Sequence, residues 1–344
     1  MSKRPTIADL ARAAGVGVAT VDRVLHGRAN VSTGTTARVA AAAERIGYHA
    51  TGLIAARQAP PARVLRFGFV LHKKAQPFYD GFARQIEAAC AAAQGHDIRP
   101  RIVFSPSQAP EDFAAAFDQA AEGADAVAGS AINHPLVDRK ITGIRAAGTP
   151  CFALLNDFAT AARSQYFGLD NLRAGRIAGW TIAATAPAPG KVAVFVGGSR
   201  WHGQVLRETG CRAALRDHAP GLRMLDTAVN LETRQVTYEA TLDLLSRHGD
   251  LRGIYVAGGG MEGAIAALRE SRPPGKVALV VNELTADSRA ALADGIVTMA
   301  VATPITQLCG DLLAAMASAS VAPGERPGPD RHILEPTLLV PESV

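Results

Sequence analysis

Over the first fifty positions apolar residues return at helical spacing. Ile7, Leu10, Ala11 and Ala14 make one stripe, stopped by Gly15-Val16-Gly17. Val21, Val24 and Leu25 make a second between about Val18 and His26. Val39, Ala43 and Ile46 make a third, with Ser32 suited to cap its start and Gly47 its end. The pattern predicts three short helices joined by tight turns. On the second, Ala19, Asp22, Arg23 and His26 fall on the face opposite the apolar stripe, free to meet a partner.

Beyond Pro60-Pro61, which neither continues a helix nor tolerates one just before it, the period changes. Apolar runs at Val64–Leu71, Ile98–Phe104, Ala124–Ala131 and Cys151–Leu155 alternate with helical stretches near Phe78–Ala93, Glu111–Ala121 and Leu136–Ala147. The alternation resumes with Lys191–Gly197, Leu222–Val229, Gly253–Ala257, Val277–Val281 and Ile296–Ala300. Strands separated by helices imply right-handed βαβ units and parallel sheets covered on both faces. The expected architecture is an all-α helix-turn-helix head at 1–49, a linker at 50–62 and an α/β body at 63–344. Two doubly wound lobes fit the body's length: one at about 63–160 and 303–330, the other at about 161–302 and 331–344. Ligands of such sheets settle at the carboxyl ends of the strands, and a cleft between two lobes offers those ends from both sides.

Composition narrows the class. With 48% hydrophobic and 19% charged residues over 344 positions, the chain has apolar material enough for packed cores. No run approaches the roughly 20 apolar residues that cross a bilayer, and the start lacks the apolar core of a signal peptide, so the expected address is the cytoplasm, at the nucleoid. Cys90, Cys151, Cys211 and Cys309 lie far apart without metal-ligand spacing and read as small buried hydrophobes. Net charge is +5, and its location matters: eight of the 36 basic and three of the 31 acidic side chains fall within 1–62, leaving 28 of each beyond. The surplus belongs to the head, which suits nucleic acid or an anionic membrane surface. A helix, a Gly turn and a second helix with an exposed basic face have the geometry of a major-groove reader; a small bundle with merely solvated charges fits the same spacing.

Catalytic signatures are missing. Neither a GxSxG elbow nor a GxxxxGK[ST] loop occurs, and His134, His202, His218 and His248 have no ligand spacing such as HExxH. No enzyme activity, metal or cofactor is expected.

The head resembles the DNA-binding domain of the lac repressor family of bacterial transcriptional regulators. The matching residues are Thr6-Ile7-Ala8-Asp9-Leu10-Ala11, Ala14-Gly15-Val16, Thr20-Val21, Arg23-Val24-Leu25, Val31-Ser32, Thr35, Val39 and Gly47-Tyr48. The body resembles the same family's periplasmic-binding-protein-like sensor through Gln76-Pro77-Phe78-Tyr79, Asp170-Asn171 with Gly175, and Arg207 three residues before Gly210. The resemblance implies a homodimer whose heads read a palindromic operator under control of a small effector, a sugar, sugar phosphate or polyol. By family position Val18, Ala19 and Arg23 read bases, Arg23 through a bidentate pair to guanine, while Thr20, Ser32, Thr35 and Tyr48 position the backbone; Thr6 and His26 complete the DNA-facing set. Gly17 and Asp22 stand where the family usually has Ser, removing two hydroxyl contacts. Arg57 stands where the family's hinge inserts a Leu, as a reader of the minor groove or as an ordinary linker residue; the first reading predicts that Arg57→Ala weakens operator binding several-fold.

For the sensor, the resemblance implies that Gln76, Phe78 and Tyr79 present apolar surface to a sugar ring while Asn133, Asp157, Arg207 and Glu283 bind its hydroxyls. Gly258-Gly259-Gly260, where sugar-binding relatives often carry Asn or Asp, leaves room for a larger ligand or an anionic group on a helix N-terminus. The expected function is a ligand-controlled, sequence-specific DNA-binding regulator, read as a repressor. The alternative is a solute-binding or chemosensory module whose basic head binds a protein.

Overall fold

The structure, a computed structural model, describes residues 4–26, 31–49, 63–321 and 330–344. The chain divides into two compact units, 1–63 and 64–344.

In the head, α1 (Ile7–Ala14), α2 (Val18–His26) and α3 (Thr33–Ile46) occupy the expected positions. Thr6 caps α1, its hydroxyl accepting from the Asp9 amide while the Asp9 carboxylate accepts from the Thr6 amide. Gly15 (φ 65°) ends that helix in the left-handed region, a backbone conformation that is strained for residues with side chains. Ser32 caps α3 at the Thr35 amide. Leu10, Val21, Val24, Val39 and Ala43 close the small core. Tyr48, expected at the DNA backbone, is only 7% exposed and packs within that core. An aromatic ring just past the end of α3 saves more free energy by leaving water than a solvated hydroxyl gains.

The body holds two sheets. The first has the order β12-β5-β4-β3-β1-β2 and is built from β1 (Arg63–His72), β2 (His96–Ser105), β3 (Ala126–Gly129), β4 (Cys151–Leu154), β5 (Gln165–Leu169) and β12 (Arg331–Leu334). Its faces are covered by α4 (Pro77–Ala92) with α12 (Ile305–Val321), and by α5 (Pro110–Ala121) with α6 (Pro135–Ala146). The second has the order β13-β11-β10-β9-β6-β7 and is built from β6 (Gly190–Val196), β7 (Leu222–Met224), β9 (Leu251–Val256), β10 (Ala278–Asn282), β11 (Met299–Ala302) and β13 (Thr337–Leu339); β8 (Ala228–Val229) also pairs with β6. Here α7 (Asn171–Thr185) with α8 (His202–His218) covers one face, and α9 (Arg234–Arg247), α10 (Met261–Ser271) and α11 (Ala286–Ala293) the other.

The lobe limits differ from the expected ones. β5 pairs in parallel with β4 (Phe152↔Gln165), and β12 with β5 (Arg331↔Tyr166), so both belong to the first sheet rather than the second. The chain crosses between lobes at 169–171, 302–305 and 334–337. Both strands are short and carry polar or charged residues, and β12 joins the sheet through pairing across more than 150 positions, which no local pattern records. The run Leu222–Val229 splits in two: Leu222 pairs with Gly190 and Ala228 with Phe195, at two points along the same β6. β13 runs antiparallel to β11.

Candidate functional site

On the head, α2 presents Val18 at 48% exposure, together with exposed Ala19, Arg23 and His26; Thr20 is half-buried. Asp22, an unwelcome charge for a neighbouring phosphate, lies 3.0 Å from His26 Nδ1, which also meets the Asp22 carbonyl at 2.9 Å. Thr6, Ser32 and Thr35 have capping work of their own: the Thr6 hydroxyl donates to Asp9 Oδ2 (2.7 Å), and the Ser32 and Thr35 hydroxyls pair at 2.9 Å. Arg57 lies outside the described residues.

In the body, the carboxyl ends of both sheets face a narrow cavity of about 60 Å³. At the ~10–15 Å³ that each water needs, it holds a few waters and not yet a sugar ring. The residues after β1 supply Gln76, Phe78 and Tyr79; β10 ends in Asn282, with Glu283 just after it; the N-terminal turns of α8 and α10 supply Gln204, Arg207, Met261 and Glu262. Phe78 and Glu283 also border a wider space of about 860 Å³.

Five expected residues, Gln76, Phe78, Tyr79, Arg207 and Glu283, line this cavity. Arg207 is fixed by Nε on Asn171 Oδ1 (2.7 Å) and Nη1 on the Ala257 carbonyl (2.9 Å). Glu283, in a left-handed conformation (φ 73°), accepts from the Thr303 amide and hydroxyl, both at 2.8 Å. Burial pushes its pKa above the ordinary carboxyl value, and the same holds for Glu232 and Glu262.

Asn133 and Asp157 are not among the described lining residues. Asp157 is locked to Arg163 (2.6 and 3.1 Å) and to Arg331 (3.2 Å), and Arg163 continues to Asp330. Asn133 donates to the Asp157 carbonyl and accepts from Asn156, each at 2.9 Å. A buried arginine needs its full set of acceptors, and Asp157 and Asp330 together supply them. Both residues brace the loop that brings Asn156 to the cavity, where its Oδ1 accepts from the Gly203 amide (2.8 Å).

Sequence reasoning missed Trp201, Gln204, Glu232, Glu262, Asn156 and Asn282. Asn282 had a signal, as the last residue of a strand. Trp201, from the second lobe, lies with its ring against His72 (5.5 Å) and Phe113 (6.1 Å) of the first, and its Nε1 donates to Gln108 Oε1 (3.1 Å). Gln108 Nε2 and Lys73 Nζ reach the Leu231 carbonyl at 3.2 and 3.1 Å, so the lobes are pinned together over the cavity. Glu232 meets His72 Nε2 at 3.7 Å, although burial pushes the imidazole down to about 3 and keeps it uncharged.

The four cysteines are free and buried, as expected, and burial pushes the Cys151 thiol up to about 12, far from the reactive thiolate. Among the described residues no cluster of His, Cys, Asp and Glu is arranged to hold a metal, and no helix is long and apolar enough to cross a membrane.

Comparison with known proteins agrees with this layout. Residues 67–325 match the periplasmic binding protein domain, and residues 6–51 match the bacterial regulatory proteins of the lacI family. The maltose regulon regulatory protein MalI of Escherichia coli is 33% identical over 103 residues, 30% of this chain and 28% of that protein's length. Among solved structures, an ABC transporter solute-binding protein from Agrobacterium vitis bound to α-D-tagatopyranose aligns over 81% of this chain and 95% of its own, with a TM-score of 0.73 at 18% identity. A Mycobacterium smegmatis structure in complex with β-D-fucofuranose aligns over 81% and 92%, with a TM-score of 0.71 at 19% identity. The chain belongs, through its body, to the periplasmic binding protein domain family, and its head matches the bacterial regulatory proteins of the lacI family.

Proposed function

We propose that this protein is a sugar-responsive transcriptional regulator, a repressor acting as a homodimer, whose heads read a palindromic operator and whose cavity binds the effector. One observation carries the reading: a chain with a lacI-type head also holds, at the carboxyl ends of two facing sheets, a cavity where the aromatic surfaces of Phe78, Tyr79 and Trp201 meet buried polar groups. That pairing suits a ring with one apolar face and a rim of hydroxyls. The sugar-bound structures of the same fold support it.

Val18, Ala19 and Arg23 are the proposed base readers, with Thr20 and the head's cationic surplus on phosphates. Tyr48 and Thr6 act through the head's packing and capping. Such a regulator works at the nucleoid. Because the cavity is too small for a ring as it stands, binding involves lobe opening, and the effector acts through its unequal affinity for the two arrangements.

A gel-shift titration of the full chain against DNA upstream of its own gene, with and without a panel of pentoses, hexoses and polyols, tests this. Retarded DNA whose affinity falls steeply with salt, and which one of the sugars releases, is the expected result. Failure to bind DNA, with a protein captured through α2 instead, supports the chemosensory reading and overturns this one.

A further inference from the structure

The run Gly258-Gly259-Gly260 leads from β9 into α10, where backbone amides and a helix N-terminus would receive an anion. The protein has filled that place itself. The Gly259 amide donates to Glu232 Oε1 (3.2 Å), and the same oxygen accepts from Gln204 Nε2 (2.7 Å). Leu231 and Glu232 both adopt the left-handed conformation (φ 53°), which costs free energy for residues with side chains; the turn they make holds the Glu232 carboxyl at the cavity wall.

The second oxygen of Glu232 is unsatisfied. Among the described residues Oε2 has no hydrogen-bond partner, and its neighbour at 3.7 Å is the buried His72 ring. Gln76 Oε1, on the same cavity, has no partner either. Both atoms are acceptors, so a ligand must bring donors. The charges point the same way. Glu232, Glu262 and Glu283 line the cavity against Arg207, two of whose nitrogens are spent on Asn171 and Ala257, and Lys73, at the edge, donates to the Leu231 carbonyl.

We propose that Glu232 is the specificity-determining residue of the effector cavity: its carboxyl group fills the anion cradle and turns its free oxygen to a hydroxyl or ammonium donor, so the effector is an uncharged or amine-bearing polyhydroxy compound, and sugar phosphates and sugar acids are excluded. The inference rests on the cavity being the effector site. A phosphate brings nearly two negative charges to buried carboxyl groups and offers few donors to the waiting acceptors; it must displace Glu232 from two hydrogen bonds or force the acids to stay protonated.

The test is calorimetric titration of the full-length protein near pH 7 with aldohexoses, aldopentoses, hexitols and glucosamine, and with the matching 6-phosphates and uronic acids, on wild type and Glu232→Gln. In the wild type a neutral or amino compound binds, and its phosphate or uronate binds roughly a hundred-fold more weakly or worse. In Glu232→Gln that gap narrows by roughly ten-fold or more, because the amide keeps the shape without the charge. Glucosamine binding more tightly than glucose makes the donor an ammonium; the reverse makes it a hydroxyl; either supports the proposal. A phosphate or uronate that binds the wild type as well as its parent sugar overturns the proposal and leaves the cavity as the effector site. An unchanged gap in folded Glu232→Gln also overturns it. Silence from every compound, with operator DNA still bound, overturns the cavity reading and the proposal with it. If Glu232→Gln fails to fold, the wild-type ratio decides alone.

Discussion

His72 ends β1 fully buried, ringed by Tyr79, Phe113 and Trp201, with Glu232 beyond. Its imidazole titrates near 6.5 in the unfolded chain and near 3 when folded, because burial disfavours the cation and Lys73 adds repulsion. A lowered native value means that the stability is present above 6.5 and drains away as pH falls toward 3. The slope is about 1.4 kcal/mol per pH unit. Glu232, Glu262 and Glu283, with raised values, work in the opposite direction, gaining on acidification. His72→Phe separates the two: the melting temperature of wild type relative to the variant should drop steadily from pH 6.5 to 4.5. A constant difference would mean that His72 takes up a proton inside the fold. On the head, Arg23 is the residue with the sharpest expected effect. Arg23→Ala should remove about 1–3 kcal/mol of preference for the operator over random DNA while leaving most of the salt-dependent affinity, as competition gel shifts would show.

Among the elements, α7 and α8 pack with almost no space between their backbones. A Cβ at Gly175 would sit 1.9 Å from the Arg207 carbonyl oxygen, and one at Gly210 would sit 2.1 Å from that of Leu172. Helices brought together by small residues hold their polar side chains in a fixed register, and here the register points Arg207 into the cavity with Asn171 behind it. Gly175→Ala should therefore act twice. It costs about 1–3 kcal/mol of stability through overpacking, read by thermal melting, and it weakens effector binding by moving Arg207. Unchanged stability would show that the two helices can slide apart freely. Arg207 three residues before Gly210 was a visible cue in the chain, but the reason for the spacing appears only when α7 lies against α8.

For the body as a whole, the question is what holds its lobes closed. Gln108 is the principal strap, joining Trp201 Nε1 to the Leu231 carbonyl, both in the opposite lobe. Gln108→Ala gives up these two hydrogen bonds, at about 1 kcal/mol each, so the closed form, too small for a ring, is less populated and effector affinity should rise roughly five- to thirty-fold. Small-angle scattering of the unliganded variant should show a larger radius of gyration; equal values would place the closing energy elsewhere. Much of this molecule was legible in one dimension. The three head helices, the βαβ alternation, the cationic front and the aromatic cluster after β1 all arise from local spacing, because helix and strand periods are set by neighbours in the chain. Other features required the fold. The membership of β5 and β12 in the first sheet, the diversion of Asp157 to Arg163, the burial of Tyr48 and the carboxyl of Glu232 on Gly259 depend on which partners the packing brings together, near or far in sequence. Hydrophobic periodicity says which face turns inward, but a buried polar group is satisfied by whichever donor or acceptor the packing brings near, and that choice is made only in three dimensions.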